Sequence, residues 1–189
     1  MKNIKPFDFK KQKDFDNHIN LSIPNYSGLV QVFSHIAKEF SQPGSTTVDI
    51  GCSTGKFLHN LLKIDDCKYV GIDKVDMKSF DGFTHVIGDC EEELKKLTDV
   101  GVIISMFFLQ FLGNKERKKI LQTIKKHIDS GAILLVAEKV YINDTRIQTL
   151  LHRMHVQTKR ENFSDEEILD KDNQLSISMF CKTESELMK

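Results

Sequence analysis

Five short apolar runs recur along the chain: Thr46–Ile50, Tyr69–Ile72, a stretch around His85 to Ile87, Val100–Met106 and Ala132–Glu138. Most are unbroken rather than alternating, and they are rich in Val and Ile, as strands buried on both faces are. Between and beyond them, apolar residues return at three- and four-residue spacing: Leu29, Val32, Phe33, Ile36 and Phe40; Phe57, Leu58, Leu61 and Leu62; Ile120, Leu121, Ile124 and Ile128; Ile147, Leu150, Leu151 and Met154. That period is a helix with one buried stripe. Strands alternating with helices predict an α/β domain around a parallel sheet.

Local signals set the boundaries. Ser27 is placed to cap a helix through Phe40, ended by Pro43-Gly44. The helix after the first strand is expected to run to about Lys63, and Glu91–Leu97 is a short acidic helix. Asn114 is expected to cap a helix to about His127, before Gly131, and Asp144 the next. Ser164 with Glu167 reads as a capping box. Residues 15–27 lack a clean period, residues 1–14 are charged and expected to be loosely ordered, and Leu175–Phe180 has strand-like alternation.

The first strand runs into Asp49-Ile50-Gly51-Cys52-Ser53-Thr54-Gly55 and then a helical pattern. Strand, glycine turn, helix is how an α/β sheet makes a ligand crevice at its carboxyl edge. Gly51 permits a sharp turn and close approach of a ligand, Gly55 permits the helix start to lie near the strand, and the helix N-terminus offers N–H groups to an anion. The loop is neither G-x-G-x-x-G, since Ser53 stands at the middle glycine, nor a Walker loop. Alone it is as consistent with a structural turn as with a ligand loop. Two more acids change that. Val70-Gly71-Ile72-Asp73 ends in a carboxylate roughly twenty residues after the loop, where a ribose diol is held. Val86-Ile87-Gly88-Asp89 ends in another, placed to accept from an adenine amino group. Three successive strands ending this way point to a nucleoside-bearing ligand.

Composition narrows the class. A length of 189 residues fits one domain with a sizeable core. Twenty-seven basic and 27 acidic side chains cancel, so any nucleic-acid surface has to be local; the helix after Asp144 offers one in Arg146, Arg153, Lys159 and Arg160. Cys52, Cys67, Cys90 and Cys181 have no paired spacing and read as reduced thiols in a cytoplasm rather than metal ligands. His152 and His155 have metal-pair spacing but no third ligand nearby, so no metal is expected. No apolar run approaches a membrane span, and the N-terminus lacks an apolar signal segment.

The Asp-x-Gly-x-x-x-Gly loop, Asp73 and Gly88-Asp89 resemble a class I S-adenosylmethionine-dependent methyltransferase. A closer resemblance covers residues 15–27, Gln42-Pro43-Gly44, Asp49–Ser53, Leu109–Leu112, Glu138-Lys139, Met154-His155 and Lys159-Arg160, which are similar to the carboxy-S-adenosylmethionine synthases, suppliers of a carboxymethyl donor for tRNA wobble-uridine modification. The resemblance implies a Rossmann-like three-layer sandwich of about five parallel strands, with the family's C-terminal antiparallel hairpin missing. It divides a single domain, 1–189, into an N-terminal cap and helix (15–40), a cofactor-binding core (45–140) and a helical C-terminal part (141–189). It implies S-adenosylmethionine or S-adenosylhomocysteine as cofactor, with the carboxylated form as an alternative. The implied contacts are Tyr26, Gly51 and Gly55 at the methionine part, Asp73 on the ribose, and Asp89 with Cys90 near the adenine, with Asp49, Cys52, Ser53, Lys74 and Met106 also in the cofactor-binding set. It also implies a homodimer.

Three departures matter. Only twelve residues, Asp73 to Thr84, separate the second and third strands, too few for the family's full helix. Met106 stands where the family has asparagine. Lys171-Asp172-Asn173 stands where the family has Lys-Arg-Ser, whose arginine binds the donor's carboxylate; aspartate repels one. Three readings follow: a methyltransferase on an unidentified acceptor, a carboxy-S-adenosylmethionine synthase using prephenate, and a non-catalytic cofactor- or partner-binding protein. The sulfonium carries the reactivity itself, so no catalytic residue is assigned.

Overall fold

In the computed structural model, which describes residues 5–9 and 14–187, the apolar runs form one parallel sheet: β1 Thr46–Ile50, β2 Lys68–Asp73, β3 Thr84–Ile87, β4 Val100–Met106 and β5 Ile133–Ala137, in the order β3-β2-β1-β4-β5. β1 sits at the centre, and all five of its residues are buried, Asp49 among them. One face, with Val48, Ile50 and Ile103, packs against α4 (Cys90–Leu94) and α5 (Asn114–Asp129) through Leu94, Ile120 and Ile124. The other, with Val102 and Ile104, packs against α2 (Tyr26–Phe40) and α3 (Lys56–Asn60) through Phe33, Ala37, Phe57 and Leu58. This is the expected three-layer sandwich. The order reverses between β1 and β4, so a crevice opens at their carboxyl ends. These elements make one compact unit, Tyr26–Glu138.

A second unit combines the chain up to Asn25 with Lys139 onward. It contains α1 (Phe15–Ser22), α6 (Thr145–Lys159), α7 (Asp165–Ser176), a parallel pair of two-residue strands, β6 (Val140–Tyr141) and β7 (Lys182–Thr183), and α8 (Glu184–Leu187). Asp144 and Ser164 cap α6 and α7 as their sequence positions demand. The expectation for residues 1–14 falls largely outside the described residues.

Several boundaries differ from expectation, each for a local reason. Residues 15–22 are helical because Asp14 caps them, accepting the Asn17 N–H. Ser27 lies inside α2, which starts one residue earlier. Asn114 is the first residue of α5; Gly113 precedes it, and Glu116 accepts the Gly113 N–H at 3.0 Å. α3 stops at Asn60, short of Lys63, because Leu61 turns extended and two following N–H groups go to side chains, Leu62 to Ser34 Oγ at 3.0 Å and Ile64 to the Tyr69 hydroxyl at 2.8 Å. Leu175–Phe180 is no strand. α7 runs to Ser176, and the N–H groups of Ser178 and Met179 turn back to the Leu175 carbonyl.

Candidate functional site

The carboxyl ends of β1, β2 and β3 are stitched together by the residues singled out in the sequence. Gly51 (φ 76°) and Cys52 both donate their N–H to the Ile72 carbonyl, at 2.8 and 3.1 Å, bending the chain across the end of β2. Ser53 then takes a left-handed φ of 51°, which aims its N–H at Asp73 Oδ2, 2.9 Å away. Asp73 Oδ1 accepts the Val75 N–H at 2.9 Å, and the Asp73 carbonyl accepts the Gly88 N–H at 2.9 Å. One aspartate thus orders the loops after β1, β2 and β3. Cys90 Sγ donates to the Ile72 carbonyl at 3.5 Å, joining α4 to the same point.

Electrostatically the edge is acidic and partly dry. Asp49 is 4% exposed; burial, then repulsion from Asp73, pushes its carboxyl up to about 8. An acid in that state gains from a nearby cation. The Cys52 thiol is pushed well above its ordinary value by burial and by Asp49 and Asp73, and burial likewise pushes Cys90 up to about 12, so both stay protonated. Asp89 caps α4, accepting the Glu91 and Glu92 N–H groups at 3.0 and 3.2 Å on Oδ1, and pairs through Oδ2 with Lys74 at 2.8 Å. The Lys74 bond and the cap hold its carboxyl low against the opposing effect of burial. Asp89 therefore has protein partners on both oxygens, a role the sequence reading did not assign it. Ser53 Oγ is buried with no hydrogen-bond partner.

Aromatic rings line the two glycines. Gly55 (φ 80°) precedes α3 as expected, but the close neighbour is Phe83: a Cβ on Gly55 would lie 2.1 Å from its Cζ. A Cβ on Gly51 would lie 2.4 Å from Phe108 Cδ2. Phe108 also packs against the core. Tyr26, the first residue of α2, sits with its ring 6.1 Å from that of Phe107. Met106 ends β4 and packs on the face shared with α2 and α3. The predicted set is thus distributed over one sheet edge. Phe83 and Arg117 were missed, since spacing gives no signal for them, and Glu138, which with Arg117 holds the turn after β4, was singled out only within the Glu138-Lys139 resemblance and given no role. A cleft of about 430 Å³ between α4 and α5, lined by Lys95, Lys119, Thr123 and Lys126 among others, shares none of the predicted residues.

In the second unit only part of the expected basic face is open to solvent: Arg146 and Arg153 are exposed on α6, but the C-terminal end of the face is engaged. Lys159 is buried and bonded to Asp172 at 3.4 Å, Arg160 pairs with Asp165 at 2.7 Å, and Arg146 lies 3.5 Å from Asp144. α6 also exposes apolar residues, Ile147, Leu150, Leu151 and Met154. Lys171 touches His18 and donates to Ser22 Oγ at 3.3 Å; burial draws its ammonium down to about 8. Burial, reinforced by Lys159, draws His155 down to about 4. Among the described residues, no group of three or more metal-ligating side chains is present, and no helix is long and apolar enough to cross a membrane.

No protein-family model matches the chain. Among curated proteins it is 32% identical over 180 residues to a carboxy-S-adenosyl-L-methionine synthase of Idiomarina loihiensis, spanning 87% of this chain and 74% of that one. It is 28% identical over 187 residues to the synthase of the same name from Shigella boydii, spanning 92% and 76%. Among solved structures it superposes on the plantazolicin methyltransferase BamL, crystallised with a triazolic desmethylPZN analog and SAH, with a TM-score of 0.62 at 16% identity, over 92% of this chain and 62% of that one. Sheet order, edge geometry and sequence identity agree: the chain has the Rossmann-like class I methyltransferase fold and belongs to the carboxy-S-adenosyl-L-methionine synthase family.

Proposed function

We propose that the chain binds S-adenosyl-L-methionine at the carboxyl edge of β1, β2 and β3 and transfers its methyl group to an acceptor. The observation that carries this reading is the convergence of Asp49, Ser53 and Asp73 on one edge, where Asp73 already orders three loops. The residues fit the cofactor's chemistry. Asp49 is a buried acid that a cationic amino-acid part relieves, and Ser53 Oγ is a buried hydroxyl in need of a partner. Asp73 retains lone pairs for a ribose diol. When bound, the cofactor supplies a sulfonium leaving group; the chain supplies binding, orientation and exclusion of water. Mass spectrometry of the ligand released on denaturing the purified protein tests this. S-adenosylmethionine or S-adenosylhomocysteine is expected, and a protein that neither carries them nor gives calorimetric heat with them overturns it.

Family membership favours a second reading, carboxy transfer with prephenate, placing the chain upstream of tRNA wobble-uridine modification. Against it, the position expected to hold a carboxylate-binding arginine is Asp172, engaged with Lys159, and Met106 replaces the family's asparagine. Carboxylated cofactor in the released ligand would favour this reading over methyl transfer. We also propose a cytoplasmic homodimer, supported by cysteines that form no disulfide among the described residues and by β5 at the sheet edge.

A further inference from the structure

The turn after β4 is held by two side chains that make no contact assigned to the cofactor. Glu138, just after β5, accepts the Leu109 N–H on Oε1 at 2.9 Å. Arg117 of α5 donates from Nε and Nη2 to the Leu109 carbonyl at 3.1 and 2.6 Å. One residue is gripped at both its N–H and its C=O. Immediately before it stand two rings. Phe107 has a left-handed φ of 56°, a conformation that persists only where the surroundings impose it, and its ring lies 6.1 Å from that of Tyr26. Phe108 lies on Gly51, closely enough to exclude even a methyl group there. The grip on Leu109 therefore sets two rings against two residues of the proposed cofactor edge.

We infer that Glu138 is a positioning residue of the cofactor site: acting through the Leu109 peptide, its carboxylate holds Phe107 and Phe108 against Tyr26 and Gly51. The inference rests on the cofactor reading above. A carboxylate grips an N–H more firmly than a neutral acceptor does. Burial pushes the Glu138 carboxyl up to about 7, against the lowering effects of the Leu109 N–H, of Arg117 from α5 and of the Gln110 and Phe108 N–H groups of the turn. Its charge is therefore set within the working pH range.

The test compares wild type with Glu138→Gln, which keeps shape and a carbonyl acceptor but neither charge nor titration. Affinity for S-adenosylhomocysteine is measured by calorimetry from about pH 5.5 to about 8.5, bracketing the Glu138 titration. Wild-type affinity is expected to rise about fivefold through neutrality from this group, and the variant to lack that rise. Asp49 titrates in both proteins, so the difference between the profiles isolates Glu138. A structural role alone would lower stability without changing the pH profile. Superimposable profiles overturn the inference; absence of binding by wild type overturns the cofactor reading instead. Should the variant fail to fold, hydrogen exchange at the wild-type Leu109 amide decides: ligand-induced protection is expected, and unchanged exchange sinks the proposal.

Discussion

Asp73 accepts the backbone N–H of Ser53 across twenty residues of sequence, at 2.9 Å. The bond ties the first glycine loop to the end of β2, so one carboxylate both shapes the loop and faces the proposed ribose position. Replacing Asp73 by Ala is expected to weaken S-adenosylhomocysteine binding by about 1–3 kcal/mol, the cost of losing charge-assisted hydrogen bonds. Calorimetry measures it, and an affinity within twofold of wild type would separate the loop bond from ligand binding.

Gly55 and Phe83 allow a coupled test. An alanine at Gly55 has a strained φ of 80° and a Cβ 2.1 Å from the Phe83 ring. Gly55→Ala should cost about 3 kcal/mol: roughly 1 for the backbone, the rest for displacing the ring. In a Phe83→Leu background only the backbone part should remain. Urea unfolding of the four proteins in the cycle reads the coupling; strict additivity would show that the ring is not what excludes a side chain there.

Much of this was legible because apolar runs and acids carry their own geometry. β4 matched its run residue for residue, since a short, nearly unbroken run rich in Val and Ile suits a strand covered on both faces. Asp144 and Ser164 sit where caps must sit. What was not legible depends on partners distant in sequence. α3 ends early because Ser34 and Tyr69 take the N–H groups of Leu62 and Ile64 just beyond it. Lys159 falls on the polar side of its helix by period, yet Asp172 draws it inside. Glu138 and Arg117 meet at a peptide that belongs to neither of their elements.

The buried acid Asp49 predicts a pH-dependent stability of definite sign. Its carboxyl titrates near 8 in the folded chain against an ordinary 3.8. Between these values the folded state keeps a proton that the unfolded state has released. Its contribution is therefore fully present below about pH 4, falls as pH rises towards 8, and then levels off. Asp49→Asn should match wild type near pH 4 and be more stable at pH 7.5, by on the order of 2–4 kcal/mol. The same change should abolish cofactor binding, because the amide cannot neutralise a cation. Thermal unfolding at the two pH values checks the first part. Equal melting temperatures at pH 7.5 would mean that Asp49 is not held protonated.

Donor selectivity follows from Asp172 and Met106. Asp172 is negative where the family's arginine would bind a carboxylate, and a thioether at Met106 offers no strong hydrogen-bond donor. Plain S-adenosylmethionine is expected to bind at least as tightly as its carboxylated form. A preference of tenfold, about 1.4 kcal/mol, for the carboxylated form in competition calorimetry would return the chain to carboxy transfer.

Self-association follows from the end of the sheet. Among the described residues β5 pairs as a strand with β4 alone, which leaves its other edge open to pairing. The strand carries Ile133, Leu134, Leu135 and Val136, of which Val136 is 46% exposed. The short strands that follow it in sequence, β6 and β7, pair with each other. The second unit adds its own apolar surface, with Leu150 and Met154 each 57% exposed on α6 and Phe180 48% exposed near the C-terminus. Surfaces of this kind are most often satisfied by a closed two-fold pairing, which buries the same patch from both copies. The expected species is a homodimer in which residues from the C-terminal third contribute to the interface. Light scattering at micromolar concentration measures it, and Leu150→Lys with Met154→Lys should shift the mass towards monomer while leaving the sheet intact. A monomeric mass for the unmodified chain would show that these surfaces stay unpaired at that concentration and would remove the dimer from the proposal.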